Sequence, residues 1–293
     1  RNENSQFFYN ESVGDFVPIP SISNNYSYDD KVYAAYSNYS LKGKKWNYQL
    51  GLRIESSDYK GKLIGKDSLF NVNFPISIFP SAFITYRVTD KQDLQVNFSR
   101  RINRPNFFQL LPFVDFSDPQ NLNVGNAGLK PEFTNSFEFS YNKSYKNNSN
   151  FLATLFLRYT TDLITRYQYV GISPLDNTDT VVYNTFANAN SSVAYGLELT
   201  NKTTVAKIWD VTLNLNLFNS RINADNLENN LNNERLSWFV KWNNSIRLPK
   251  KYTIQFSGNY QAKTVLPPGG GGGFGGRGGG GGGGGFFGGG SLS

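Results

Sequence analysis

Three features of the sequence predict one fold: an all-β, transmembrane antiparallel up-and-down β-barrel. Apolar and polar residues alternate with period two over long stretches, the links between those stretches are alternately short and long, and the composition favours strands. Phe, Tyr and Trp make up 16% of the 293 residues and charged residues only 17%, against about a quarter in ordinary soluble chains. No run approaches the roughly 18 apolar residues of a membrane-spanning helix, so a membrane location requires strands, and strands closed into a barrel.

In chain order, a short partial strand is expected near Gln6 to Asn10. The first clear case is Trp46, Tyr48, Leu50, Leu52 and Ile54 against Asn47, Gln49, Gly51, Arg53 and Glu55, one apolar face and one polar. Ala82, Ile84, Tyr86 and Val88 follow, then Leu94, Val96 and Phe98 against Gln95, Asn97 and Ser99. Phe137, Phe139 and Tyr141 make another strand, as do Phe151, Ala153, Leu155, Leu157 and Tyr159. Trp209, Val211, Leu213, Leu215 and Leu217 alternate with Asp210, Thr212, Asn214 and Asn216. Trp238, Val240 and Trp242, and then Tyr252, Ile254, Phe256 and Tyr260, complete the series, which comes to about ten strands and the partial one.

Alternation also suits a soluble sandwich, so the links decide. Short links at Lys42 to Lys45, Thr89 to Gln92, Lys146 to Ser149, Val205 to Ile208 and Leu248 to Lys251 alternate with long ones. The long links are Asp58 to Ile78, Asn103 to Thr134, Gly171 to Asp179, Asn223 to Arg235 and the tail from Lys263. Tight turns at one end and long loops at the other are the mark of an outer-membrane barrel, with turns periplasmic and loops outside. Tyr39, Trp46, Trp209 and Tyr252 stand beside the short turns, where an aromatic girdle is expected. The polar face is expected to line the lumen through Gln49, Arg53, Arg87, Gln95, Asn97, Arg101, Glu138, Asn214 and Gln255, while Leu50, Leu52, Leu213, Leu215 and Phe256 meet lipid.

Several functions are excluded by composition. The chain contains no Cys, hence no disulfide, thiol nucleophile or thiolate metal site, and no His, hence no imidazole base or ligand. No Gly-x-Ser-x-Gly elbow occurs, and an enzyme is not expected. Asp115, Asp118 and Asn121, and Asp176, Asn177 and Asp179, have calcium-like oxygen chemistry, but such clusters read as turn formers, so no metal or other cofactor is expected. The net charge of +7 is spread singly or in pairs without a basic stripe, which argues against a nucleic-acid partner. Opening at Arg1 and closing at Ser293 inside a low-complexity tract, the sequence reads as a piece of a longer protein.

Between two strands lie Arg101-Ile102-Asn103-Arg104-Pro105 and, later, Gly125-Asn126-Ala127-Gly128-Leu129-Lys130-Pro131-Glu132. The prolines remove ladder donors, so this stretch must leave the sheet. Its Phe107, Phe108, Leu110, Leu111, Phe113 and Phe116 favour folding over or into the barrel mouth rather than lying in water. Arg104, Pro105, Gly125, Asn126, Leu129, Lys130, Pro131 and Glu132 resemble a motif in the barrels of TonB-dependent receptors and the related outer-membrane β-barrel family of Gram-negative bacteria. Ala127 departs from that pattern, which has Pro there. The resemblance implies the C-terminal part of a barrel of 22 strands, of which about 10 to 11 are present, in the outer membrane of a Gram-negative bacterium. It also implies uptake of a scarce nutrient such as an iron chelate, vitamin or glycan, with a plug domain and the TonB complex as partners outside this chain. The alternative is a plugless structural or adhesive barrel. Two regions are expected: residues 1–262 as barrel, and residues 263–293 as a Gly-rich extracellular loop too poor in side chains to offset the entropy of ordering.

Overall fold

The computed structural model describes residues 2–4, 7–10, 14–18, 24–64, 69–145, 149–175, 178–227 and 232–263. The Gly-rich tract assigned to a loop lies, apart from its first residue, outside the described residues. The strands are β1 (Asn2–Asn4), β2 (Phe7–Asn10), β3 (Asp15–Pro18), β4 (Asn24–Lys42), β5 (Trp46–Ile64), β6 (Leu69–Thr89), β7 (Gln92–Asn103), β8 (Asn121–Asn123), β9 (Glu132–Ser144), β10 (Asn150–Ile172), β11 (Thr180–Val205), β12 (Trp209–Asn223), β13 (Asn232–Arg247) and β14 (Thr253–Gln261). One helical turn, α1 (Phe107–Leu110), interrupts them. Sequential strands from β4 to β14 pair antiparallel, with β8 off the path and β1 beside β4. Ten long strands in up-and-down order match the expected architecture, and among the described residues β14 and β4 do not pair, leaving the sheet open. The partial strand expected near Gln6 to Asn10 is β2, which pairs antiparallel with β3 in a separate two-stranded sheet.

Register sorts the two faces. Tyr48, Ile84, Val96, Phe139, Leu155, Leu197, Leu217 and Trp238 are successive cross-strand partners and form an apolar row across eight strands. On the other face Gln95, Ser140, Thr154, Glu198 and Asn216 form a polar row. Leu50, Leu52, Leu213 and Phe256 are exposed on the apolar face, as membrane strands require, because lipid replaces the missing protein partner.

The long-loop end departs from the expectation in one place. The link placed at Asp58 to Ile78 is mostly strand, since β5 continues to Ile64 and β6 starts at Leu69. Between Glu55 and Ser57 the register with β6 shifts by one residue, with Ser77 opposite Glu55 and Phe74 opposite Ser57. Pro75 sits in this bulge, where its missing N–H costs no ladder bond. A one-residue slip exchanges faces. The even-numbered apolar stripe of β6, which points away from the polar face at Ile78, Ala82 and Ile84, therefore points inward at Val72 and Phe74. β5 keeps its phase through the bulge, so Tyr59 lies inward with Arg53 and Glu55 while Ser56, Asp58 and Lys60 lie outward. Strands of 19 to 26 residues such as β4, β5, β10 and β11 far exceed the roughly 9 to 11 needed to cross a bilayer.

Candidate functional site

The inward apolar patch created by that slip is covered by the segment between β7 and β9, residues 104–131, which crosses the polar face as a strap. At its start the Arg104 guanidinium pairs with the Glu55 carboxylate, and its Nε donates to Ser57 Oγ at 3.0 Å. Glu55 also pairs with Arg53, and it is 2% exposed. Pro105 is buried and leads into α1, whose Asn106 forms a capping box. Its Oδ1 accepts from Gln109 N at 3.0 Å, and its own N–H donates to Gln109 Oε1 at 2.9 Å.

The middle of the strap closes on itself and then joins the wall. Gly125 N donates to Leu111 O at 2.8 Å and Asn126 N to Gln109 O at 2.6 Å, so residues 111–125 form a closed loop. A Cβ on Gly125 would stand 2.5 Å from Leu111 O and 2.6 Å from Leu111 N, so only glycine allows the two backbone segments to meet. Within that loop Asp115 accepts from Ser117 and Asp118 from Gln120 and Asn121, which makes both carboxylates turn formers. The Asn121 amide, followed by the Gln120 N–H, holds the Asp118 carboxyl below its usual range. β8 then adds in parallel to Val182–Asn184 of β11. It does so beyond Ser191, where the β12 pairing of β11 ends, so the strap uses an edge that the sheet leaves free.

The remaining motif residues fasten the far end. Asn126 Nδ2 donates to Phe186 O at 3.0 Å, while its Oδ1 accepts from Gly128 N at 2.8 Å. Both backbone groups of Lys130 bond to the side chain of Asn188, N to Oδ1 at 2.8 Å and O from Nδ2 at 2.9 Å. Glu132 accepts from Ile164 N at 2.6 Å and from Asn103 Nδ2 at 2.8 Å, which satisfies a β10 donor beyond the last residue paired with β9. Pro131 is buried. Leu129 and Leu110 pack with Tyr59 and Phe74, flanked by Tyr28, Val72, Ile164 and Phe186. Leu110, Leu122 and Leu129 are at most 2% exposed. Burial, and then the Asp30 charge, push the Tyr28 and Tyr59 hydroxyls above the usual tyrosine range.

Gln49, Arg53, Arg87, Gln95, Asn97, Arg101, Glu138, Asn214 and Gln255 all lie on the polar face. Gln49 stands opposite Ser40 and Phe83, Arg87 opposite Asp93, Arg101 opposite Thr134, and Gln255 opposite Ser245. Two groupings form. Arg158 lies 3.7 Å from Glu138, itself 3.5 Å from Asn97 Nδ2; Thr200 Oγ1 donates to Asn214 Oδ1 at 2.9 Å. Only Arg53 of the nine reaches the strap anchor. Sequence reasoning missed Glu55, Ser57, Asn188 and β8 as anchors, since partners about 50 or 60 positions away leave no local pattern. It also missed that Phe156 and Phe218 are buried on the polar face. Gly196 separates these two in the cross-strand row, and a Cβ there would collide with Leu217 O and with Phe218. Among the described residues no group of three or more His, Cys, Asp or Glu is placed to hold a metal.

A sheet with one lipid-suited face, one polar face and an internal strap defines an outer-membrane barrel wall. The chain belongs to the outer membrane protein beta-barrel family, whose model matches residues 1–276. Its localisation is therefore the outer membrane of Gram-negative bacteria. No curated protein matches the chain. Among solved structures it is similar to the alcaligin outer membrane receptor FauA from Bordetella pertussis, at 16% identity and a TM-score of 0.53, over 81% of this chain and 38% of that one. It is also similar to the siderophore receptor PirA from Pseudomonas aeruginosa (12%, TM-score 0.55, 82% and 49%) and to the copper transporter OprC (12%, TM-score 0.54, 83% and 37%). The chain thus spans about two-fifths to one-half of these proteins, and at such identities the likeness is one of fold.

Proposed function

We propose that this chain is part of the barrel of a TonB-dependent outer-membrane receptor that takes up a scarce nutrient. The observation that carries the reading is the charged, partly unpaired polar face below the strap. Glu138, Arg158 and Glu198 cluster there, and the buried amide oxygens of Asn97 and Asn216 have no partner among the described residues. Charged and amide side chains on one face of a membrane strand suit a wet or plugged interior rather than lipid, and a lumen as wide as 22 strands is filled by a plug rather than by side chains. A plug domain outside this chain, acting with the TonB complex, supplies both the occupant and the coupling. On this reading the polar face lines the lumen, the short turns are periplasmic, and the strap narrows the extracellular mouth. The eight motif residues are structural anchors of the strap, and the chain itself catalyses nothing. The fold relatives, a siderophore receptor and a copper transporter among them, support transport without selecting the cargo.

The test is energised uptake by whole cells. A deletion strain should lose accumulation of a labelled iron chelate, vitamin or glycan, and wild-type accumulation should collapse when the proton-motive force is dissipated. Unchanged uptake of all three classes with altered surface adhesion would replace the proposal with a structural or adhesive barrel.

A further inference from the structure

We propose that the short-turn end of the sheet is an anchoring surface for anionic phospholipid headgroups. Lys44 and Lys45 occupy the β4–β5 turn, Lys91 the β6–β7 turn, Lys207 the β11–β12 turn, and Lys250 and Lys251 the β13–β14 turn. All six are exposed, and no ion pair among the described residues uses them. The carboxylates nearby answer to other groups or are few. Asp210 lies 3.0 Å from Arg247, Asp93 stands opposite Arg87, and Asp90 alone shares the turns with the lysines. The excess positive charge of the chain is therefore concentrated at one end of the barrel wall, an arrangement that the scatter of lysines along the sequence conceals.

The backbone marks these positions as selected for charge rather than for turn geometry. Five non-glycine residues among those described have positive φ, and three of them are Lys207, Lys250 and Lys251. Such positions favour Gly or Asn. The surroundings point to a membrane rather than to an acidic protein. Ile208, Leu248 and Tyr252 are exposed between the lysines, and Trp46 and Trp209 stand at the adjoining strand starts. Apolar and aromatic groups interleaved with ammonium groups on flexible stems suit the headgroup zone, where the stems lie along acyl chains and the charges meet phosphate.

Lipid selectivity of the full-length protein, refolded into vesicles and read by quenching of tryptophan fluorescence, tests this. Brominated phosphatidylglycerol should displace phosphatidylcholine from the barrel surface with a preference of about fivefold or more, the value of one lysine at an anionic surface. The preference should fall towards one in about 0.5 M salt and in the variant carrying Gln at positions 44, 45, 91, 207, 250 and 251. It should return when Arg replaces Lys at the same six positions, which separates charge from a folding defect. Equal preference in the wild type and the Gln variant would overturn the proposal. So would loss of the preference in millimolar inorganic phosphate, or binding of soluble polyglutamate through the same lysines, the first indicating a free anion and the second an acidic protein.

Discussion

A carboxylate taken out of water needs cations and donors around it, and Glu55 has both through Arg104 and Arg53. Arg53 is mostly exposed, so the pair with Arg104 carries most of the effect. Glu55→Ala should leave the largely buried Arg104 charge without a counter-ion and cost about 3 to 5 kcal/mol, whereas the double change Glu55→Met with Arg104→Met should cost far less. Urea midpoints of the refolded protein measure both, and equal losses would show that burial of charge is not what holds the strap. Tyr28 and Tyr59, stacked at 6.0 Å beneath it, add a pH dependence. Their folded pKa values are raised, so their contribution is complete below about pH 10, where the hydroxyls of the unfolded chain begin to ionise. Above that pH the unfolded chain loses protons that the folded one keeps, and stability falls. Tyr28→Phe with Tyr59→Phe should flatten this alkaline loss in unfolding midpoints taken between pH 9 and 11.

At the scale of elements, the short turns were legible because chemistry and geometry are local, and two of them, β11–β12 and β13–β14, hold non-glycine residues at positive φ. Ala206 and Lys207 both have positive φ, and Ile208 N donates to Val205 O at 3.2 Å, so this three-residue turn holds two consecutive residues in the left-handed region without Asn or Gly. Ala206→Asn should raise stability by about 0.5 to 1 kcal/mol, because Asn tolerates the left-handed region that Ala resists. A rise in the chemical-denaturation midpoint with an unchanged slope is the expected result, and no rise would mean the turn adds no strain. The β5–β6 hairpin was less legible. Val72 and Phe74 continue the alternation, yet Pro75 and the bulge conceal that pairing persists and that the stripe changes face. The motif residues Arg104, Asn126, Lys130 and Glu132 were visible as a group, but their partners Glu55, Phe186, Asn188 and Ile164 were not. Such contacts depend on where the strap lands on the finished wall, which no local spacing encodes.

For the whole molecule, the two faces fix how deep each residue sits. Counting from Trp209 at the short-turn girdle, Leu215 is six residues along a strand that rises about 3.3 Å per residue. With a tilt of about 35 to 45° this places it roughly 14 to 16 Å into an apolar band about 25 Å tall, close to its midplane. Leu215 and its partners Leu199 and Val240 lie on the apolar face, while Asn214 and its partners Thr200 and Lys241 lie on the polar one. Leu215→Arg must place a guanidinium in hydrocarbon and should cost about 2 to 4 kcal/mol, whereas Asn214→Arg enters a wet lumen and should cost little. The comparison is made in one host, between adjacent positions with the same introduced residue, so the difference reports facing alone. Refolding of the full-length variants into vesicles gives both values. Comparable losses would mean that the two faces do not divide lipid from lumen, and the assignment of this sheet as a membrane wall would fail with them.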